Sequence, residues 1–231
     1  MKRYKLNILE ENKYKLYFYN EKYLNLGKKV IEKNYKVLKE YKNDNRTYVA
    51  VIEIDEKKYI LKIPRYESNK ILKKLLTFFK KGEALRSLIN IKKARENGLQ
   101  EVMDIYIVGI KKRFGLIENS FFLSEYIEGK MSLEDKKLLK ILELCKKIHR
   151  LGYYHGDCNP YNFLFDKEDK IRIVDTQCKK MRFGNYKAHY DNLTMMKYLK
   201  EKIEYIEKKN IFYWLALKTR EIKDKRYNNF K

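Results

Sequence analysis

The chain has 231 residues, 44% of them apolar and 37% charged, and 54 Lys and Arg stand against 31 Asp and Glu for a formal charge of +23. That length buries a substantial core, and the charge favours anionic partners, although joint enrichment in Lys, Asn, Ile and Tyr also reads as a compositional bias. Cys145, Cys158 and Cys178 are odd in number and include no C-x-x-C pair, which excludes a disulfide framework and a zinc site; no apolar run suits a signal peptide or approaches the roughly 18 residues of a membrane helix, so a cytoplasmic protein is expected.

KLNIL and KLYFY flank EENKY and read as a β-hairpin. The period of EKYLNLGKKVIEK is helical. NYKVLKEY, TYVAVIEI and KYILKIP are strand-like and are separated by the turn-like KNDNR and DEKK, so an antiparallel sheet is expected. In KYILKIP, alternation sets Tyr59, Leu61 and Ile63 on one face and Ile60 and Lys62 on the other. Residues 70–97 turn helical, with Gly98 as the stop. VMDIYIVGIKK and SFFLSEYI carry further strands. SLEDKKLLKILELCKKIHRLG predicts an amphipathic helix with Ser132 as N-cap and Gly152 at its end. From Tyr190 to Arg226 the period is again helical, with Trp214 expected in the helix core. A β-rich part over residues 1–126 and a mainly helical part over 127–231 make a two-lobed α+β plan.

The chemistry concentrates in residues 154–176, YHGDCNPYNFLFDKEDKIRIVDT. Asp157 and Asn162 are five residues apart, the separation between the proton-accepting Asp and the metal-binding Asn in a catalytic loop of kinase type. NFLF and KIRIV are short strands around the turn DKED, and the second ends at Asp175, where a buried carboxylate needs a partner or a cation. Hairpin geometry brings that strand end back toward Asn162. Phosphate chemistry also needs a cation from the sheet. Lys62, in an apolar strand, supplies one if Glu83 in KKGEALRSL holds it. SEYIEG offers the backbone of Glu125 and Ile127 to an adenine edge. Taken singly, each residue has an ordinary explanation: a polar turn, a salt-bridged strand-end Asp, a snorkelling Lys, a solvated Glu. Their order, Lys62, Glu83, Asp157, Asn162, Asp175, and their strand, helix, loop and strand-end settings select the nucleotide site. His149 and His189 are read as structural or surface residues, His155 as a brace for the loop, and Cys158 and Cys178 as free thiols.

On these residues the chain resembles the protein-kinase-like superfamily. It resembles most closely the bacterial lipopolysaccharide core heptose(II) kinases, through KKYILKIPR, FFKKGEALRSLINIKKARENGL, FFLSEYIEG, HGDCNPYNFLF and KIRIVDTQCKKMR. The resemblance implies a two-lobed kinase-like fold using ATP and Mg²⁺. Lys62 would lie on the phosphates, steadied by Glu83; Asp157 would activate a sugar hydroxyl; Asn162 and Asp175 would hold the metal. The chain departs from the superfamily pattern in its glycine-free KNDNR turn, in Thr176-Gln177 after Asp175, and in Gly156 where Arg is more familiar.

Lys179, Lys180, Arg182 and Lys187 suit an acidic or phosphorylated acceptor, as lipopolysaccharide core is, and peripheral contact with an anionic inner membrane is expected. The alternatives are a kinase for another small molecule or protein, or a non-catalytic binding protein. No nucleic-acid motif is present, and no nucleic-acid partner is expected.

Overall fold

The computed structural model describes residues 5–66, 78, 81–182, 184–200 and 210–228. The chain divides into two compact units, residues 1–92 with 103–126, and residues 93–102 with 127–231.

The first unit is built on one sheet. Its strands are β1 (Asn7–Glu11), β2 (Tyr14–Phe18), β3 (Lys36–Asn43), β4 (Thr47–Ile54), β5 (Lys57–Pro64), β6 (Ile105–Arg113) and β7 (Leu116–Glu125), in the order β1-β2-β6-β7-β5-β4-β3 with every pair antiparallel. The β1–β2 hairpin is thus no separate ornament; β2 pairs with β6, which follows it by almost ninety residues. Three hairpins close through two-residue turns with both residues left-handed: Asn12 and Lys13 (φ 46° and 66°), Asp55 and Glu56 (50° and 61°), and Phe114 and Gly115 (52° and 76°). Positive φ at both positions gives these turns the twist of the strands they join.

One face of the sheet carries the core of this unit. Leu16, Phe18, Ala50, Ile52, Ile54, Leu61, Ile107, Phe121 and Leu123 pack there with Leu26 and Val30 of helix α1 (Leu24–Ile31). Gly27 allows the close approach, since a Cβ at that position would lie 2.5 Å from Cδ1 of Ile107. Tyr59 and Ile63 pack against this cluster too. Lys62 therefore belongs to the opposite face, as the alternation predicts, in a row with Val49 and Phe122. Helix α2 (Glu83–Glu96) buries Ala84, Leu88 and Ile91 at helical spacing. It ends before Gly98, which has φ 95°. The expected helical stretch over 70–80 lies outside the described residues, apart from Phe78.

The second unit centres on α3 (Asp135–Arg150), whose Leu138, Ile141, Leu142, Cys145 and Ile148 form a buried stripe. Ser132 is not its N-cap. Glu134 occupies that position with extended φ/ψ, and the Ser132 hydroxyl instead accepts from Glu134 N at 3.2 Å. Gly152 ends the helix with φ 79°, donating to His149 O at 3.0 Å. Four short strands follow as two pairs: β8 (Tyr153–Tyr154) with β11 (Lys179–Lys180), and β9 (Phe163–Phe165) with β10 (Ile171–Ile173). Helices α4 (Tyr186–Met195) and α5 (Ile211–Asn228) pack together; residues 201–209, also expected to be helical, lie outside the described residues. Trp214 corrects the sequence reading, for it is 59% exposed instead of lying in a core. Among the described residues, no helix is long and apolar enough to cross a membrane.

Candidate active site

The residues His155 to Asn162 form a loop closed on itself. Asn159 N donates to Asp157 O at 2.8 Å, and Asn162 N donates to Asn159 O at 3.1 Å. Asn159 Oδ1 caps the short 3₁₀ turn Pro160–Asn162 by accepting from Tyr161 N at 3.0 Å. The Asn162 side chain completes the closure, its Nδ2 donating to Asp157 O at 2.8 Å and lying 3.4 Å from Asp157 Oδ2. The five-residue spacing is therefore a contact. Cys158 and Pro160 point inward, while the Asp157 side chain stays exposed.

The hairpin brings Asp175 to the same place. Phe163 pairs with Ile173, and Val174 N donates to Asn162 O at 2.9 Å, so Asp175 follows directly after a residue bonded to the loop. Its backbone is left-handed, φ 49°, a conformation that Asp tolerates better than most residues. Asp175 is solvent-exposed, so the burial cost invoked from the sequence is not incurred. Thr176, beyond it, is buried; its Oγ1 donates to His155 O at 3.1 Å and accepts from Cys178 N at 2.9 Å.

The loop is held from below by a residue that the sequence reading missed. Asp191, wholly buried on α4, accepts from His155 N at 2.7 Å through Oδ2 and from Gly156 N at 3.0 Å through Oδ1. Its Oδ2 also lies 3.3 Å from His149 Nε2. Gly156 has φ 91°, while a Cβ there would meet only ordinary contacts with Tyr154; backbone conformation, not space, sets the requirement. His155 is buried and braces the turn. Its Nδ1 accepts from Asp157 N at 3.3 Å, which puts the ring proton on Nε2, and its ring centroid lies 5.3 Å from that of Phe163. Burial pushes its pKa below the usual histidine value and outweighs the opposing fields of Asp191, Asp157 and Asp175. The imidazole is neutral, as a structural brace should be.

In the sheet unit, Lys62 lies mid-strand between Val49 and Phe122, its Nζ 5.9 Å from the centre of the Phe122 ring. Glu83 opens α2, its carbonyl accepting from Ser87 Oγ at 2.9 Å. Glu125 ends β7, where its N–H donates to Asp104 O at 2.9 Å. Ile127 follows in the connector. The KNDNR turn is organised by a carboxylate: Asp44 Oδ1 accepts from Arg46 N and Thr47 N, both at 2.8 Å. Those bonds, led by that from Thr47, hold its pKa below the ordinary carboxylate range. Two amides that a glycine-rich turn would offer to phosphate are thus used internally.

The oxygen donors fit a hard divalent cation. Asn162 Oδ1 and the exposed Asp175 carboxylate are the ligand types that Mg²⁺ takes when phosphate and water complete its shell. No cluster of three His, Cys, Asp or Glu able to hold a metal occurs among the described residues. All three cysteines are free and buried, with Cys145 Sγ and Cys158 Sγ 2.7 Å apart.

Known proteins resemble this chain over much of its length. The chain is 28% identical over 170 residues to the lipopolysaccharide core heptose(II) kinase WaaY of Escherichia coli K12, covering 70% of this chain and 71% of that protein. It is 26% identical over 176 residues to the human serine/threonine-protein kinase LATS1, covering 70% of this chain but 16% of that one. Among solved structures, the kinase domain of Mycobacterium tuberculosis PknI aligns at a TM-score of 0.44 and 12% identity, covering 71% of this chain and 73% of that one. Residues 8–226 match the family described as lipopolysaccharide core biosynthesis protein (WaaY). A match over nearly the whole chain, on an α+β plan of antiparallel sheet unit and mainly helical unit with the expected kinase-like loop, means that the chain belongs to the WaaY family.

Proposed function

We propose that the protein is a kinase transferring the γ-phosphate of ATP to a heptose hydroxyl of lipopolysaccharide core. One observation carries the reading: in a member of this family, Asn162 closes the loop onto Asp157 while the β9–β10 hairpin delivers Asp175 beside it. Residues 1–126 serve as the nucleotide-binding lobe and 127–231 as the catalytic lobe. The backbone of Glu125 and Ile127 takes the adenine edge. Lys62 lies against the α- and β-phosphates, and Glu83 restrains its ammonium. Asn162 and Asp175 hold Mg²⁺, which when bound neutralises charge on the triphosphate.

Asp157 orients the acceptor hydroxyl and takes its proton as the new P–O bond forms and the bond between the γ-phosphorus and the bridging oxygen breaks, releasing ADP. Its exposed carboxylate can reach a sugar hydroxyl while its backbone stays locked. Little covalent work falls to the protein, so the rate depends on keeping these groups in place. Lys179, Lys180, Arg182 and Lys187 receive the anionic acceptor. Lys187 Nζ sits 5.0–5.8 Å from the ring centres of Tyr154, Tyr186 and Tyr190, a fixed cation at the edge of this cluster. The whole protein works at the cytoplasmic face of the inner membrane.

The test is transfer from labelled ATP with Mg²⁺ to dephosphorylated lipopolysaccharide core, comparing the native protein with Asp157→Ala. Transfer that falls at least about 10³-fold with nucleotide binding retained is expected. No transfer by the native protein, with ATP bound, would move the reading to a different acceptor.

A further inference from the structure

Helix α5 packs with one side and leaves the other uncovered. Tyr213 and Ala216 are buried, the Tyr213 ring meets His189 edge-on at 5.4 Å, and Arg220 donates to Thr194 Oγ1 at 3.0 Å. On the opposite side, Ile211 is 69% exposed, Trp214 59%, Leu215 50% and Ile222 48%, with Lys218 and Lys225 also exposed. At 100° per residue these six side chains fall within an arc of about 100° along roughly 21 Å of helix. Four large apolar groups at such exposure in one stripe are more than the scattered apolar residues of an ordinary surface.

The charges on the stripe choose its occupant. Lys218 and Lys225 lie among the apolar side chains, and no acid lies within the arc; Glu221 is at its border, and Asp224 is turned toward Lys197 and Arg220. A second copy packing face to face would oppose these lysines to one another. An anionic bilayer accepts both features, taking the apolar side chains among its acyl chains and the ammonium groups among its headgroups, and the chain's +23 charge draws the protein toward it. We infer that this face of α5 is a docking surface for an anionic lipid bilayer. The inference deepens the proposed reading by giving an enzyme for a lipid-anchored acceptor its means of reaching that acceptor.

Trp214, the only tryptophan, reports on this surface directly. The full chain is mixed at low salt with vesicles of phosphatidylglycerol and phosphatidylcholine, and with vesicles of phosphatidylcholine alone. A blue shift of Trp214 emission, quenched by brominated acyl chains, is expected with the anionic vesicles, and it should weaken with added salt. Lys218→Glu/Lys225→Glu should lower vesicle partitioning at least about tenfold with an unchanged melting temperature. That variant should also phosphorylate a water-soluble core oligosaccharide normally while losing activity on vesicle-embedded glycolipid. No shift with anionic vesicles, or an equal shift with neutral ones, overturns the inference; so does a blue shift that needs only higher protein concentration, which would assign the stripe to a second copy. Vesicle binding and phosphotransfer are read separately. Docking without transfer supports the inference and sinks the catalytic reading, whereas transfer without docking does the reverse.

Discussion

Asp191 anchors Gly156 across 35 residues of sequence, its buried carboxylate accepting from the amide of that glycine as well as from the amide of His155. The loop that carries Asp157 is thereby fastened to helix α4. Asp191→Ala removes the acceptor of the buried His155 amide, at about 1–3 kcal/mol, and that of the part-buried Gly156 amide. A melting temperature lower by about 5 °C or more is expected, together with a loss of phosphotransfer larger than the unfolded fraction explains. Asp191→Asn keeps one acceptor oxygen and should fall between the two. Thermal denaturation and single-turnover transfer at a temperature where both variants are folded would check this; full activity in folded Asp191→Ala would show that the loop holds itself.

Asp175 offers a cleaner separation of chemistry from stability. It is exposed and its φ is 49°, a conformation that Asn adopts at least as readily. Asp175→Asn should therefore leave the melting temperature within about 1 °C while removing a charge from the proposed metal site. The Mg²⁺ concentration for half-maximal transfer should rise about tenfold or more. An unchanged Mg²⁺ dependence would remove Asp175 from the metal site.

Local pattern made much of this visible in advance. Alternation in TYVAVIEI and KYILKIP gave β4, β5 and the face of Lys62, and the apolar stripe of residues 138–148 gave α3. The strand order was not legible, because pairing of β2 with β6 depends on a contact that no local window contains. The turns at Asn12-Lys13 and Asp55-Glu56 lack the glycine that usually marks two-residue left-handed turns. Asp191 was missed for the same reason as the strand order: a carboxylate that bonds backbone amides far up the chain leaves no motif spacing. Its one signal is an acid within a helix that also buries Ala188, Asn192 and Met195. Trp214 was misplaced because IFYWLAL is apolar at every position, so period alone cannot say which side faces the core.

The cysteines should be chemically silent in the folded protein. Burial holds the Cys178 thiol up at about 12, and the neighbouring Cys145 together with burial raises Cys158 well above the usual thiol range. At pH 8 a thiol with a pKa near 12 is thiolate for about one part in 10⁴, and the thiolate is the reactive form. Ellman's reagent should label none of the three within minutes in native protein and all three in denaturant. Rapid native labelling would mean that α3 and the loop separate far more often than their buried packing implies.

His155 sets an acid limit on stability. Its folded pKa lies below the ordinary value of 6.5, with burial as the leading cause. Between the two values the unfolded chain holds a proton that the folded one does not, so stability increases with pH there. The stabilisation is complete above about 6.5 and is lost progressively as pH falls toward the folded pKa. Protonation would also place a hydrogen on Nδ1, where Asp157 N now donates, and so loosen the backbone of Asp157. Melting temperature and transfer should therefore decline together between pH 7 and 5. In His155→Gln, which carries no titrating ring, the melting temperature should start lower at pH 7 and change less over the same range. Parallel pH profiles for the two proteins would assign the acid sensitivity to the carboxylates instead.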